Sequence, residues 1–224
     1  MRIVCREFNI DYEFKENCVA ELLIESPELF QYFIGGLFRQ YNGEEDFIIL
    51  SENEKELALN KTSSIIIDPF HIDINNRKML ARIYQDIIRD YQESNMESIL
   101  DLQNSINRFL LDICEHSEYA MVYDDNSDLV DLLKLFNVRF DSDENDFACN
   151  IISYIKIAHR ILGHSLFVFV NLKTFLPRNV MGEFYQTIRY EKVNIVLIER
   201  FDLYTNEDEN RIIIDKDGCL ICDN

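Results

Sequence analysis

Leu166-Phe167-Val168-Phe169-Val170, a helix opened by Pro177, and Ile195-Val196-Leu197-Ile198 closed by Glu199 decide the fold of this chain. Two nearly continuous apolar runs on either side of a helix read as parallel strands buried on both faces. A carboxylate ending such a strand is where nucleotide-hydrolysing enzymes hold their metal and water. The phosphate-binding loop that should accompany it is missing. The six glycines stand at 35, 36, 43, 163, 182 and 218, and none precedes a Lys followed by Ser or Thr. Both G-x-x-x-x-G-K-[ST] and G-x-G-x-x-G are therefore excluded. The pattern is that of an NTPase-type sheet without its nucleotide loop.

Outward from this core, residues 2–24 alternate weakly as strands, best at 2–4 and 19–24. Ser26-Pro27-Glu28 opens a helix that stops at Asn42-Gly43. Strands follow at 47–50 and 65–67, the second closed by Asp68-Pro69. The texture then turns helical. Asn75 or Asn76 caps a helix carrying Met79, Leu80, Ile83, Tyr84, Ile87, Ile88 and Tyr91, and a second carries Ile99, Leu102, Ile106, Phe109, Leu110 and Ile113. Shorter helices cover about 127–136 and 145–162. A hairpin from Arg211 to Cys222 turns at Asp215-Lys216-Asp217-Gly218. The expected organisation is an α/β head, residues 1–74 and 163–224, with a mixed, largely parallel sheet split by an α-helical leg at 75–162.

The 224 residues carry a formal charge of −19, from 22 Lys and Arg against 41 Asp and Glu. Taken alone, that argues against nucleic acid, whose affinity comes largely from phosphate neutralisation. The average hides an asymmetry. From Asp112 to Phe147, eleven acids face only Lys134 and Arg139, whereas Ile151 to Arg200 holds seven cations against Glu183, Glu191 and Glu199. A fold can gather those cations on one surface. Six scattered cysteines, with no signal segment or spanning run, fit a reducing cytoplasm. Cys219-x-x-Cys222 lacks a second Cys or His pair, so a structural zinc site is not expected. His159 and His164 read as packing residues rather than a metal pair.

Ile66-Ile67-Asp68-Pro69-Phe70 with Asp73-Ile74-Asn75 and Arg77-Lys78, then Asp131-Leu132-Leu133-Lys134-Leu135, then Leu166 to Asn171 with Phe175-Leu176, then Val196-Leu197-Ile198-Glu199 with Asp202-Leu203-Tyr204, form an ordered series. In that order and spacing the chain resembles the Csn-two family, accessory proteins of spacer acquisition in subtype II-A CRISPR antiviral defence. The resemblance covers about residues 65–220. It implies an ATPase-like head with an inserted helical leg, in a prokaryotic cytoplasmic protein with no membrane association and no catalysis. It further implies a homotetrameric ring enclosing double-stranded DNA, loaded at free ends without sequence preference and stabilised by calcium. The implied partners are the CRISPR integrase complex and the RNA-guided effector nuclease.

On that reading the DNA-contacting cations are expected among Arg77, Lys78, Lys134, Lys156, Arg160, Lys173 and Arg178. Calcium takes several hard oxygen ligands, and the resemblance places it near the head–leg junction, at Glu118, Asp124, Asp125 and Asp128. An EF-hand is rejected there. Asp124-x-Asn126-x-Asp128 has Leu129 where the loop needs Gly and Leu135 where it needs Glu, and Asp141-x-Asp143-x-Asn145 fails at Asp146 and Ile152. Two other readings stay open: a metal-dependent NTPase or phosphohydrolase using Glu199, and an acidic protein-interaction module without DNA contact.

Overall fold

The structure is a computed structural model that describes residues 1–14, 19–124, 128–141 and 146–223. It divides into two compact units, Met1–Ile74 with Ser142–Asn224, and Asn75–Asp141. In the first, β3 (Val19–Ile24), β6 (Ser63–Ile66), β7 (Leu166–Val170), β8 (Asn194–Glu199), β9 (Glu209–Ile214) and β10 (Leu220–Asp223) form one sheet in the order β10-β9-β3-β8-β7-β6. Every pairing from β9 to β6 is parallel, and only the edge pair β9–β10 is antiparallel. The fold is α/β with a mixed, largely parallel sheet. A second, antiparallel sheet runs β2-β1-β4-β5, from β1 (Arg2–Cys5), β2 (Ile10–Glu13), β4 (Ile49–Glu52) and β5 (Lys55–Leu57).

The two faces of the large sheet have different jobs, and the period of two along each strand separates them. Ala20, Leu22, Ile24, Leu166, Val168, Val196, Ile198, Ile212 and Ile214 face a core shared with Cys5, Ile10 and Leu50 of the small sheet and with Phe33 and Leu37 of α1 (Pro27–Tyr41). Ser26 caps α1 by accepting from the Leu29 N–H at 3.3 Å. On the other face, Phe169 meets Phe184 of α6 (Arg178–Glu191) at 6.1 Å, and Phe167 meets Tyr154 of a further helix at 6.4 Å between ring centroids. Strands covered on both faces have no reason to alternate, which is why these runs read as uninterrupted apolar sequence.

One close approach in α1 yields a prediction. A Cβ on Gly36 would sit 2.5 Å from the Phe47 ring, and that ring is wedged against Phe33 and Phe8 at 5.4 and 6.2 Å. Gly36→Ala gains about 1 kcal/mol of helix propensity but overpacks a filled site at a cost of about 1–3 kcal/mol. The expected result is a net lower urea midpoint at unchanged slope.

Two short elements between the first unit's strands, β5 and α2 (Leu59–Thr62), are too brief to show a period. In the second unit, α3 (Arg77–His116) is capped by Asn76 and is kinked at the non-helical Asn95 into two helices, the break falling between the two apolar stripes as expected. α4 (Leu129–Leu135) is capped by Asp128, whose carboxylate accepts from the Val130 N–H at 3.0 Å. Asn75 closes this unit on itself. It donates to the Phe140 carbonyl at 3.2 Å and accepts from the Phe140 N–H at 2.8 Å. The expected return to the head at 163 differs from the observed division. α5 (Phe147–Ile157) and the π-turn Ala158–Leu162 belong to the first unit, where Ile151, Ile155 and Ala158 are buried and Tyr154 meets Phe167 of β7. Among the described residues, no helix is long and apolar enough to cross a membrane.

Candidate functional site

Three strands of the large sheet carry charge into its interior. Glu21 interrupts the apolar strand β3, Glu209 opens β9 and Glu199 ends β8, all toward the face covered by α6. An isolated charge there would cost several kcal/mol. Lys173 supplies the partner. It follows Asn171, which adopts the left-handed conformation (φ 55°) and turns the chain sharply out of β7. The Lys173 ammonium lies 2.8 Å from both Glu21 and Glu209, donates to the Tyr204 carbonyl at 2.8 Å, and rests 5.1 Å from the Tyr204 ring centre. Its side chain has no solvent exposure. Arg211 reaches Glu21 at 3.2 Å and also pairs with Asp202. Tyr185 donates to Glu209. Burial raises the hydroxyl pKa of Tyr185 and Tyr204, with Glu209 and Glu199 respectively adding to it.

This placement corrects one expectation. Lys173 is not a phosphate contact, because both its charge and its solvent access are consumed inside the sheet. The other expected cations are exposed: Arg77, Lys78 and Lys134 in one unit, Lys156, Arg160 and Arg178 in the other. Lys134 pairs with Asp131 at 2.8 Å, which lifts its pKa, and Lys156 reaches Glu191 at 3.7 Å. Among the described residues, Arg77, Lys78, Arg160 and Arg178 form no ion pair. Arg77 and Lys78 also stand in the first turn of α3, with no acid in that turn, where the helix dipole disfavours positive charge.

Glu199, expected to mark a metal and water site if the chain were an NTPase, is 1 % exposed and accepts the Lys173 backbone N–H at 3.1 Å. Burial pushes its carboxyl up to about 7. Its carboxyl is closed off from solvent in this structure. Sequence reasoning passed over Glu21 and Glu209. Glu21 had a legible signal, since a charge inside an otherwise apolar central strand demands a buried partner.

Of the expected calcium ligands, Glu118 and Asp124 are exposed, Asp128 spends one oxygen on the α4 cap, and Asp125 lies outside the described residues. These are hard oxygen donors suited to calcium, yet among the described residues no three His, Cys, Asp or Glu side chains form a metal-holding group. The described members therefore do not by themselves make a calcium cage. Cys219 is exposed, and the side chain of Cys222 lies outside the described residues.

Comparison with known proteins adds independent findings. Residues 40–218 match the family model described as CRISPR-associated protein (Cas_Csn2). A CRISPR-associated protein Csn2 from Streptococcus agalactiae is 22% identical over 189 residues, spanning 84% of this chain and 83% of the relative. Among solved structures, an ATP-binding cassette of an ABC transporter in its ADP conformation is similar at a TM-score of 0.46 and 9% identity, covering 95% of this chain and 82% of that one. A putative ABC transporter ATP-binding protein from Pyrococcus furiosus gives 0.41 and 9%, covering 91% and 88%. Both scores are below 0.5, too low to carry an argument.

Proposed function

The chain belongs to the Csn2 family of CRISPR-associated proteins, and from that premise we propose that it is a non-catalytic, ring-shaped clamp on the ends of double-stranded DNA during spacer acquisition. The family match over residues 40–218 is the observation that carries this reading. Six exposed cations support it: Arg77, Lys78, Lys134, Lys156, Arg160 and Arg178. A clamp that ignores sequence needs side chains that meet phosphates and none that read bases. Four of the six have no carboxylate partner among the described residues, so they would bring full charge to the duplex. The rest of a chain at −19 would face away from it.

A ring also needs self-association. Tyr91, Leu102 and Phe109 on α3 are 49%, 47% and 65% exposed, more apolar surface than a solitary helix face carries without a partner. A homotetramer would bury it. Calcium enters the proposal only as a stabiliser drawn to the carboxylates of 118–128, and no step of DNA binding is routed through it. The proposed setting is the cytoplasm of a prokaryote, alongside the integrase complex and the RNA-guided effector nuclease.

Threading separates this mechanism from simple surface binding. Linear duplex should shift in a gel, and covalently closed circles of the same sequence should not. Calcium should strengthen the shift and chelator weaken it. Equal retention of circles and linear DNA would defeat the threading mechanism. Metal-dependent turnover of nucleotide or DNA by the pure protein would defeat the non-catalytic one.

A further inference from the structure

Beneath α6, the buried charges do not balance. Lys173 and Arg211 face three carboxylates, Glu21, Glu199 and Glu209, and Arg211 is further shared with the exposed Asp202. Glu21 holds both cations, at 2.8 and 3.2 Å. Glu209 holds Lys173 and accepts from Tyr185 and from the Asn206 N–H. Glu199 is left with a backbone N–H, and among the described residues no cation lies within ion-pair distance of it. A surplus carboxylate shut away from water takes up a proton rather than remain charged.

The same residue sits where two loops are joined. Asn171 donates its N–H to the Ile198 carbonyl at 2.9 Å and accepts the Arg200 N–H at 3.0 Å. The Lys173 ammonium holds the Tyr204 carbonyl, and the Tyr204 hydroxyl donates to the Leu176 carbonyl. The turn after β7 and the loop after β8 are thus tied together around the Glu199 carboxyl. From the structure we infer that Glu199 is a proton-binding site that latches these loops. While its carboxyl is neutral, the Lys173 ammonium stays with Glu21, Glu209 and the Tyr204 carbonyl; release of the proton to bulk water adds a third buried carboxylate drawing on that ammonium and loosens residues 200–208.

The groups around it set the direction. Lys173 approaches from the turn after β7, Tyr204 from the following loop, Glu21 from β3, Glu209 and Arg211 from β9, and Tyr185 from α6. Ionised Glu199 would compete with Glu21 and Glu209 for the one ammonium that also fastens the loop. Burial holds the Glu199 carboxyl at about 7, above its ordinary 4.5. The folded state therefore binds the proton more tightly than the unfolded chain. The stability this supplies is fully present below 4.5 and is lost as pH rises through about 7. This inference is independent of the DNA reading.

The test is hydrogen–deuterium exchange on the full chain at about pH 5.5 and about pH 8.5, corrected for the intrinsic base-catalysed rate. Protection of residues 200–208 should fall about tenfold or more at the higher pH, the change that one pKa unit of coupling produces. It should be pH-independent in Glu199→Gln, which keeps the acceptor for the Lys173 N–H. Infrared spectra of the wild-type protein near pH 6 should show the carbonyl band of a buried, protonated carboxylic acid, lost in Glu199→Gln. Absence of that band, pH-independent protection in the wild type, or a band removed by Glu21→Gln but not by Glu199→Gln would each overturn the assignment.

Discussion

Replacing Lys173 with alanine should cost about 3–5 kcal/mol of folding stability, the range seen when one partner of a buried ion pair is deleted. The side chain has no exposure and bridges Glu21 to Glu209. Without it, Glu21 keeps only Arg211, itself held in part by Asp202, and Glu209 has no cation within ion-pair distance among the described residues. Buried without that countercharge, both would be driven toward the neutral, protonated form. The variant's deficit should therefore shrink on acidification and grow as pH rises. Equilibrium urea unfolding at two pH values reads this directly, with the midpoint falling at constant slope. Lys173→Met keeps the apolar stem and should be nearly as damaging, which separates lost charge from lost packing. Combining Lys173→Met with Glu21→Gln and Glu209→Gln should recover much of the deficit, since removing a buried ionic group whole is often close to neutral. A Lys173→Ala deficit below about 1 kcal/mol would mean the interior is wet and the ion pairs are screened as surface pairs are.

The same lysine marks where sequence reasoning stopped. Burial on both faces writes itself into a strand as unbroken apolar sequence, so β7, β8 and the crossover through α6 were legible. Caps are local chemistry, so Ser26 was legible, and the cap of α3 was legible as Asn75 or Asn76, of which the structure uses Asn76. The period of a helix shows that it has an apolar stripe but not which neighbour that stripe meets. α5 was therefore read with the leg, although Ile151 and Ile155 are buried in the sheet's unit. Lys173 looked like one cation of a basic window because nothing in Asn171-Leu172-Lys173-Thr174 reports that the chain turns inward through a left-handed residue. The partner's signal lay about 150 residues away, at Glu21 in an otherwise apolar strand. Only the parallel register of β3 with β8 and β9 joins the two.

Separating the buried cation from the exposed ones has a measurable consequence for DNA. Each phosphate neutralised by a Lys or Arg contributes about 0.9 to the slope of log affinity against log salt. Replacing Arg77, Lys78, Arg160 and Arg178 with glutamine should lower that slope by up to about 3.6 if all four meet phosphates. Affinity for linear duplex should then fall steeply at low salt, while duplexes of different sequence are affected alike. The folding midpoint should barely move, because these side chains are exposed and make no ion pair among the described residues. Arg77 and Lys78 oppose the α3 dipole, so their removal should leave the helix equally or slightly more stable. Lys134 and Lys156 already face Asp131 and Glu191, so each should count for less than an unpaired cation. Lys173→Met, assayed at a temperature where it is still folded, should leave the slope unchanged. A slope insensitive to the four replacements, or one that changes on losing Lys173, would mean that the duplex is held by side chains other than those assigned.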